Sequence, residues 1–405
     1  MKKIISILIF ISFINCQANS IQKAFIDENN SLAIKFMSQI TKPNYVFSPY
    51  LLYESLAMIY VASESEKLTS EILNVVEFSK DKSKVIESFF LSNKNFGFTS
   101  PLLLKRDSSF EIHSSVWIDE KYKIDPEFSM SLKHGFDATI CNFETKDAIK
   151  SAKIMNDWIS KSSDGKFKNI ISPSDFKHFQ PLSVFIFNVA SFKEKWLIPF
   201  HKHKTKKGDF YLPNKKCVNL EFMNNKSHEY TFYKNDKYES CKIPYQNNRY
   251  SIIFIKPIDK VNIEDFTYMD FEDIFTNLNC NSHYFVNIYI PKLKIDSSLD
   301  FNESLKTLGL KSFFYEYMPC FYIGESLKLG SVKSVSNLNI FEEGTEVTSL
   351  VEIRLSTYST GDTQKPYEID FKLDRSFFFF IIDESTEIIL FTGKITNPTL
   401  ENLDK

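Results

Sequence analysis

Residues 342–355 read EEGTEVTSLVEIRL, and they open a stretch up to Asp370 that has almost no helix signal. From Thr345 onward, uncharged side chains alternate with a more polar set, as in a β-strand with one face that can be buried. The second half, 357–363, consists of polar and turn-forming residues that a protease could reach. Connections this long are usually functional or disordered. The stretch therefore predicts an exposed loop that can become a strand; an edge strand followed by a disordered connection is the alternative.

Segments on both sides of this loop resemble one known family. They are NYVFSP at 44–49, NVASFKEKW at 188–196, EEGTE at 342–346, FKLDRSFFFFI at 371–381 and ILFTGKITNP at 389–398. In this order they resemble the serpins over nearly the whole chain that follows the N-terminal leader. The resemblance implies an α+β fold of the multidomain α/β type, with three β-sheets, eight or nine helices and an exposed reactive-centre loop at about 342–366.

Composition agrees with one large domain. The chain has 405 residues, 43% of them hydrophobic, which suffices for a large core. It contains no Pro/Gly/Ser-rich linker, repeat or composition break, so 19–405 is predicted to form a single serpin domain. The formal net charge of −2 argues against a general nucleic-acid-binding protein.

Hydrophobic periodicity predicts helices first and strands later in the chain. Helices are expected over 21–40, 50–63, 67–77, 83–93, 126–135, 146–162 and 302–309, the last of them ended by Gly309. Strands are expected over 112–118, 183–192, 250–255 and 284–290. This order of elements is typical of an α+β or multidomain α/β protein.

The N-terminus has the pattern of a secretory signal peptide. Two lysines follow Met1, an apolar run extends from Ile4 to Ile14, and small residues stand near Cys16 and Ala18. The run is too short to span a bilayer stably. Residues 1–18 are therefore predicted to direct the protein out of the cell and to be removed, with a lipid-anchored Cys16 as the minor alternative. No membrane-spanning helix is expected.

Secretion makes three sequons, at Asn29, Asn225 and Asn302, candidates for glycosylation. Besides Cys16, the other five of the six cysteines are widely spaced and form no CxxC motif. Neither a disulfide framework nor a zinc site is therefore indicated. We expect mainly buried free thiols with at most one or two disulfide bridges, and no metal or other cofactor.

The sequence contains no common enzyme motif. It has no GxSxG, HExxH or phosphate-binding glycine loop, and its seven histidines are scattered. The chain is therefore predicted not to be an enzyme. Its one basic cluster, HKHKTKK at 201–207, is either a solvated strand or loop or a contact for a polyanion such as a glycosaminoglycan.

The resemblance implies a suicide-substrate mechanism directed at a serine protease. The target protease forms an acyl-enzyme at the loop, and the cleaved loop then inserts into the central sheet and traps the enzyme. The hinge that starts this insertion corresponds to Glu342, Glu343, Gly344, Thr345, Glu346 and Val347. Thr345 must enter first, and an uncharged side chain suits it because burying a charge would cost on the order of several kcal/mol.

The scissile bond follows from the spacing seen in the family. The bait residue of inhibitory serpins lies about fourteen positions after the hinge glycine, which corresponds here to Tyr358 followed by Ser359. A tyrosine fits a chymotrypsin-like pocket because its large ring buries much area there. Arg354 would instead imply a trypsin-like target, but it leaves a short insertable segment.

Two departures from the family pattern bear on inhibition. Inhibitory serpins favour a run of alanines in the hinge, whereas VTSL occupies 347–350. The family's breach and shutter, where the central sheet opens, correspond here to Ser48, Asn188, Trp196 and Ser334. Ser334 replaces a usual histidine and Leu51 a usual serine. A second function therefore stays open, that of a non-inhibitory serpin (a carrier, chaperone or storage protein) that a protease merely cleaves.

Overall fold

The computed structural model describes residues 22–95, 109–176, 182–280, 283–315, 328–329, 332–345 and 368–399. A first helix, α1, covers 22–37, and eight more follow it in these ranges. They are α2 (Pro49–Ala62), α3 (Glu66–Val75), α4 (Lys82–Asn95), α5 (Pro126–Gly135), α6 (Ala148–Ser162), α7 (Tyr268–Asn279), α8 (Asn302–Thr307) and α9 (Ser312–Tyr315). Short 3-10 helices lie at Pro173–Phe176, Lys202–Lys204 and Ile263–Asp265.

The strands form three hydrogen-bonded sheets. They are β1 (Asn44–Phe47), β2 (Phe110–Asp119), β3 (Thr139–Phe143), β4 (Leu182–Phe192), β5 (Glu194–Lys195), β6 (Lys206–Tyr211), β7 (Cys217–Lys234), β8 (Tyr238–Pro244), β9 (Tyr250–Pro257), β10 (His283–Pro291), β11 (Leu293–Asp300), β12 (Lys328–Leu329), β13 (Lys333–Phe341), β14 (Gly344–Thr345), β15 (Glu368–Lys372), β16 (Phe377–Asp383) and β17 (Ile389–Ile395). The largest sheet has the order β1-β17-β16-β9-β8-β7-β10-β15, with β6 also paired to β7. The other two have the orders β11-β13-β14-β5 and β12-β4-β2-β3. The predicted α+β architecture with three sheets is confirmed.

The phenylalanine-rich C-terminal segment lies inside the nine-stranded sheet. Every residue of β16 is buried, and β16 lies between β17 and β9. A strand covered on both faces reads as a continuous apolar run rather than an alternating one, which explains FFFFII at 377–382. On the far side of β17, β1 pairs with it, so that Asn44 lies opposite Ile395. The N-terminal and C-terminal parts of the chain therefore share one sheet.

Helix α2 lies at the centre of the molecule. Pro49 occupies its first turn, and Ser48 caps it by accepting a hydrogen bond from Leu51 N at 3.4 Å. Nearly every side chain of α2 is buried, and the helix packs against both β17 and β4. A helix that is apolar all round belongs in a core. Within the described ranges, no helix combines the length and apolar composition that a membrane span needs.

The two four-stranded sheets lie side by side along β13 and β4, and we refer to them together as the central sheet. β4 pairs antiparallel with β2 as far as Phe192, and its first residues pair in parallel with β12. β13 runs beside β4, but in the described residues no ladder of backbone hydrogen bonds joins these two strands. The gap between β13 and β4 is therefore a place where a further strand could pair with both.

Most of the predicted helices and strands are present, with small shifts at their ends. Gly309 takes a φ of +108° just after α8, as expected of a residue that ends a helix. Helix α7 was not predicted. Its signal is visible in the sequence, because Thr267 and Asp270 form a capping box ahead of buried apolar residues at helical spacing.

Burial distinguishes the three sequons. Asn29 and Asn225 are at most 1% exposed. The Asn29 amide nitrogen donates to Ile389 O at 3.0 Å, and that of Asn225 donates to Ile198 O at 3.1 Å. A glycan on either side chain would displace these core contacts, which argues against glycosylation at both positions. Asn302 is half-buried and stays a prediction.

The cysteines differ in part from the expectation of buried thiols. Cys141, Cys217, Cys241 and Cys280, the cysteines within the described ranges, are all free. Cys241 is buried, but Cys217 and Cys280 are exposed because they lie at the ends of β7 and α7. Residues 1–18 and Cys320 lie outside the described residues.

Candidate functional site

The first residues of the predicted loop are already part of the central sheet. After β13 the chain turns at Glu342 and Glu343, and β14 then pairs antiparallel with β13 on one side and with β5 on the other. Glu342 and Thr345 are only 4% and 2% exposed. The prediction that the exposed loop begins at Glu342 is therefore wrong, because backbone pairing holds the chain inside the sheet as far as Thr345.

Gly344 allows the two strands to approach closely. A Cβ atom at this position would overlap the carbonyl oxygen of Glu194 and lie 2.7 Å from Lys195 Cα. Both are backbone atoms, which cannot move aside without breaking the pairing. The glycine of the hinge is therefore needed for contact with β5, and backbone flexibility is not required to explain it.

The inserted end of the hinge packs on two aromatic residues. Trp196 and Tyr245 are stacked, with ring centroids 4.8 Å apart and planes at 9°. The Trp196 indole nitrogen donates to Phe341 O at 2.9 Å, and its backbone nitrogen donates to Glu343 O at 3.1 Å. The Tyr245 and Thr345 hydroxyl groups form a buried hydrogen bond of 2.8 Å. The structure thus places Trp196 in direct contact with the hinge.

Neighbouring residues hold both carboxylates of the turn. Glu342 Oε1 accepts a hydrogen bond from Thr205 Oγ1 at 2.9 Å and lies 3.4 Å from Lys292 Nζ. Burial alone would raise the pKa of Glu342, but its own backbone amide, Thr205 and Lys292 outweigh burial and hold that pKa below its usual value. Glu343, nearer the surface, pairs with Lys202 at 2.9 Å. The turn is therefore tied directly to the basic cluster.

The rest of the predicted loop is not described. Glu346, Val347, Tyr358 and Ser359 lie outside the described residues, so the second half of the hinge and the scissile bond stay predictions. The chain is described again from Glu368, where β15 pairs in parallel with β10.

Of the predicted shutter residues, Ser48 and Asn188 both contact α2, whereas Ser334 does not join them through a side-chain hydrogen bond. Asn188 on β4 donates to Leu51 O at 3.0 Å and to Ser55 Oγ at 2.9 Å, which ties the central sheet to α2. Ser48 caps the same helix one turn earlier. Ser334 is half-buried on β13, opposite Leu299, and makes no hydrogen bond through its side chain to another described residue.

Sequence reasoning missed the most unusual member of this region. Glu54 on α2 is 0% exposed, and its Oε2 accepts a hydrogen bond from Ser114 Oγ on β2 at 2.5 Å. Burial raises the pKa of Glu54 to about 8, an effect that Ser114 reduces and Asp137 increases. Two buried acceptors, Glu54 Oε1 and Asn188 Oδ1, have no hydrogen-bond partner among the described residues. A single carboxylate in an apolar helix is the only sequence signal that could have found it.

The basic cluster at 201–207 forms an exposed patch beside the hinge. The His201 and His203 rings lie 5.3 Å apart, and Lys202 is 70% exposed although it pairs with Glu343. The pKa of the nearby His228 is lowered by burial and then by the positive charges of Lys204 and His201. The patch is thus an array of like charges close to one another.

Comparisons with known proteins agree with this geometry. A sequence model described as "Serpin (serine protease inhibitor)" matches residues 27–398. The protein Z-dependent protease inhibitor of Rattus norvegicus is 24% identical, over 92% of this chain and 84% of that protein. The crystal structure of protease nexin-1 with heparin has a TM-score of 0.78 at 19% identity, covering 94% of this chain and all of that one. Human thyroxine-binding globulin has the same TM-score and identity, covering 95% and 100% of the two chains.

The match of the sequence model spans nearly the whole chain, and the order of sheets and the hinge at the sheet opening agree with it. The solved structures add agreement in fold across more than nine-tenths of the chain. This protein belongs to the serpin family.

Proposed function

We propose that the protein is a secreted inhibitor of serine proteases, that it acts as a suicide substrate, and that it favours a chymotrypsin-like target. The position of β14 carries the proposal. β14 lies between β13 and β5 and runs antiparallel to both, and β5 continues the line of β4. A chain that continued beyond Thr345 in this direction would run along the gap between β13 and β4.

Insertion along this gap would be strongly favourable. The new strand would pair its backbone with both neighbours. Because Thr345 is buried, the alternating residues Val347, Val351 and Ile353 would face the interior with it. Each fully buried aliphatic side chain contributes roughly 1.5–3 kcal/mol. An intact loop is held at both ends, by β14 and by β15, so cleavage is the step that would free it to insert.

The test of inhibition is incubation with a chymotrypsin-like and with a trypsin-like protease, followed by denaturing gel electrophoresis. We expect an SDS-stable covalent complex with the chymotrypsin-like enzyme. Mass spectrometry of the released C-terminal fragment should show that it begins at Ser359. Cleaved protein without a complex, beside a fully active protease, would contradict inhibition.

Tyr358→Arg tests the choice of scissile bond. The variant should form the complex with the trypsin-like enzyme and lose most of its reaction with the chymotrypsin-like one, since the bait side chain is read by the protease pocket. The ratio of the two inhibition rate constants is the measurement. An unchanged ratio would place the scissile bond elsewhere, and Arg354→Gln is the matched variant for that alternative.

A non-inhibitory function is the second candidate, because VTSL at 347–350 replaces the alanines that favour rapid insertion. Thyroxine-binding globulin, whose name states that it binds thyroxine, has a similar fold. Under this alternative, protease cleavage would yield two fragments and leave the thermal midpoint unchanged or lower. A cleaved inhibitor should instead melt at a much higher temperature, because the inserted loop adds a strand to the central sheet.

A polyanion is a further partner under the same proposal. The patch at 201–207 is exposed and positively charged, and protease nexin-1 was crystallised with heparin. Because Lys202 also pairs with Glu343, a bound sulfate chain would compete for a side chain that contacts the hinge. Heparin should therefore bind the wild type more tightly than Lys204→Gln/Lys207→Gln, measured by the salt concentration that elutes each from a heparin column.

Secretion depends on the predicted signal peptide. Expression of the full chain in eukaryotic cells should release a protein that begins near residue 17 or 19, and N-terminal sequencing of the medium is the measurement. Retention of the whole chain inside the cells would contradict secretion and would leave protease inhibition untouched.

A further inference from the structure

Two side chains, Ser114 and Asn188, fasten the central sheet to α2 through three hydrogen bonds. Ser114 on β2 donates to Glu54 Oε2, and Asn188 on β4 donates to Leu51 O and Ser55 Oγ. β2 and β4 form a continuous antiparallel pair in which Ser114 lies directly opposite Asn188. The β2–β4 pair can therefore move away from β13 as a unit only if it gives up both attachments to the helix.

At this contact between the β2–β4 pair and α2, two buried hydrogen-bond acceptors lack a donor among the described residues. Glu54 Oε1 and Asn188 Oδ1 are both buried and lack a hydrogen-bond partner among the described residues. Opposite residues of an antiparallel pair have Cβ atoms roughly 5 Å apart on one face. Ser114 and Asn188 both bond to α2 from that face, so the two unpartnered oxygens, Glu54 Oε1 and Asn188 Oδ1, belong to the same contact between the β2–β4 pair and the helix.

A neutral carboxyl group resolves this deficit. A carboxylate can only accept hydrogen bonds, whereas a protonated carboxyl has one O–H donor. With its proton on Oε1, Glu54 still accepts from Ser114 through Oε2 and gains a donor for Asn188 Oδ1. We propose that the proton of Glu54 locks the β2–β4 pair onto α2, and that loss of this proton unlocks the central sheet beside β13.

The surrounding groups favour the protonated form. Asp137, which follows α5, and Tyr50 on α2 are the titratable groups that interact with Glu54, and Tyr50 donates its hydroxyl to Asn93 on α4 at 2.6 Å. The strands contribute the neutral Ser114 and Asn188. No lysine or arginine in the described ranges forms an ion pair with Glu54. An ionised Glu54 would therefore be a buried charge without a counter-ion.

The sign of the pH dependence follows from linkage. In the locked state the pKa of Glu54 is about 8, and in an opened, solvated state it returns toward the ordinary glutamate value. Opening therefore releases one proton between these two pH values. The opening equilibrium should rise by up to about tenfold per pH unit between about pH 5 and pH 8, and should level off above that.

The lock itself can be tested without any protease. Infrared difference spectroscopy between the wild type and Glu54→Gln should show a protonated carboxyl band at pH 6 that disappears above pH 8. Hydrogen exchange of the β2 and β4 amides should accelerate with pH in the wild type, after correction for intrinsic exchange, and stay flat in Glu54→Gln. Glu111→Gln, on β2 near Ser114, should behave as the wild type.

Ser114→Ala tests the direction in which the pH midpoint moves. It also tests the lock if Glu54→Gln fails to fold. Ser114 lowers the pKa of Glu54, so its removal should shift the midpoint of the pH profile upward. A wild-type profile that matches Glu54→Gln, or a Ser114→Ala midpoint that does not move upward, would overturn the lock.

The use of the lock in loop insertion rests on the proposed function. Uptake of a synthetic peptide of sequence 346–357 into the central sheet should accelerate with pH in the wild type only. An intact infrared and exchange response without peptide uptake would keep the lock and contradict insertion. Peptide uptake with no pH difference between the wild type and Glu54→Gln would support insertion and contradict the use of the lock.

Discussion

The breach and the shutter close the same gap in opposite ways. At the breach, the hinge is held by backbone pairing on two sides, by the Trp196 indole and by a buried pair of hydroxyl groups. At the shutter, Asn188 and Glu54 each keep one buried acceptor without a partner. Buried polar groups normally find a partner, so the hinge contacts are complete as they stand, whereas those of the shutter depend on the proton proposed for Glu54. Under the proposed mechanism, insertion would start at the breach, and the shutter would set how readily the sheet opens.

Thr345→Arg should abolish the contacts that hold the hinge at the breach. Thr345 is buried against Tyr245, and a guanidinium there would have to give up its hydration, at a cost on the order of several kcal/mol. The variant should fold and be cleaved at Tyr358–Ser359, but it should form no SDS-stable complex. Thr345→Ser, which keeps the hydroxyl group, is the matched control. Complex formation by Thr345→Arg at the wild-type level would rule out insertion through β14.

Gly344→Ala should loosen the hinge without adding a charge. The new Cβ would overlap the backbone of β5, and relief of such overlap typically costs about 1–3 kcal/mol. Hydrogen exchange at the Trp196 amide, which donates to Glu343 O beside Gly344, should therefore accelerate while exchange in β2 stays constant. Gly208→Ala is a control, because its Cβ would meet only the movable Phe222 ring, at 3.0 Å. If Gly208→Ala accelerated exchange as much as Gly344→Ala, the close approach of Gly344 to the β5 backbone would not explain the effect.

A pair of single-group deletions compares the two regions directly. Tyr245→Phe leaves the Thr345 hydroxyl buried without its partner, which should lower the free energy of unfolding by about 1–2 kcal/mol. Ser55→Ala removes one of two acceptors of an Asn188 amide that still reaches Leu51 O, so its cost should be below about 1 kcal/mol. Urea denaturation at pH 7 measures both. If Ser55→Ala lowered the free energy of unfolding more than Tyr245→Phe did, the shutter would be the region whose buried hydrogen-bonding groups are better satisfied.

The smallest expected effect is a difference in acid stability. The pKa of Glu342 is held below its usual value, so its stabilising contribution is present above the usual pKa and is lost as pH falls through the folded-state pKa. Glu342→Gln should therefore be less stable than the wild type at pH 7, and the difference should shrink below about pH 4. The breach would thus weaken in acid, whereas the shutter weakens as pH rises. Glu343→Gln, at the surface, should change little at either pH.

The sequence predicted the framework of this site well because its signals are local. Ser48 followed by Pro49 marks the start of α2, and the alternation around 345–355 marks a strand-forming segment with Thr345 on its apolar face. The buried state of Thr345 agrees with that pattern. Local residue types carry such information without reference to the rest of the chain.

The parts that were missed depend on tertiary contacts. Whether the hinge lies outside or inside the sheet depends on how close Gly344 comes to Glu194, 150 positions earlier in the chain. Glu54 would be placed on a solvent face by any helical pattern, but α2 has no solvent face because β17 and β4 cover it. The first fact has no signature within a short window of sequence, and the second leaves only that of a lone carboxylate in an apolar helix.

The pairing of β1 with β17 has a consequence for how the chain is made. Residues 389–395 leave the ribosome long after residues 44–47, yet they fill the space between β1 and β16 in the largest sheet. Until they arrive, β1 lacks its partner and α2 lacks one of the surfaces that bury it. Contacts this distant along the chain slow folding. A premature stop codon just before β17 should therefore leave a nascent chain that cannot complete its core and is sent for degradation.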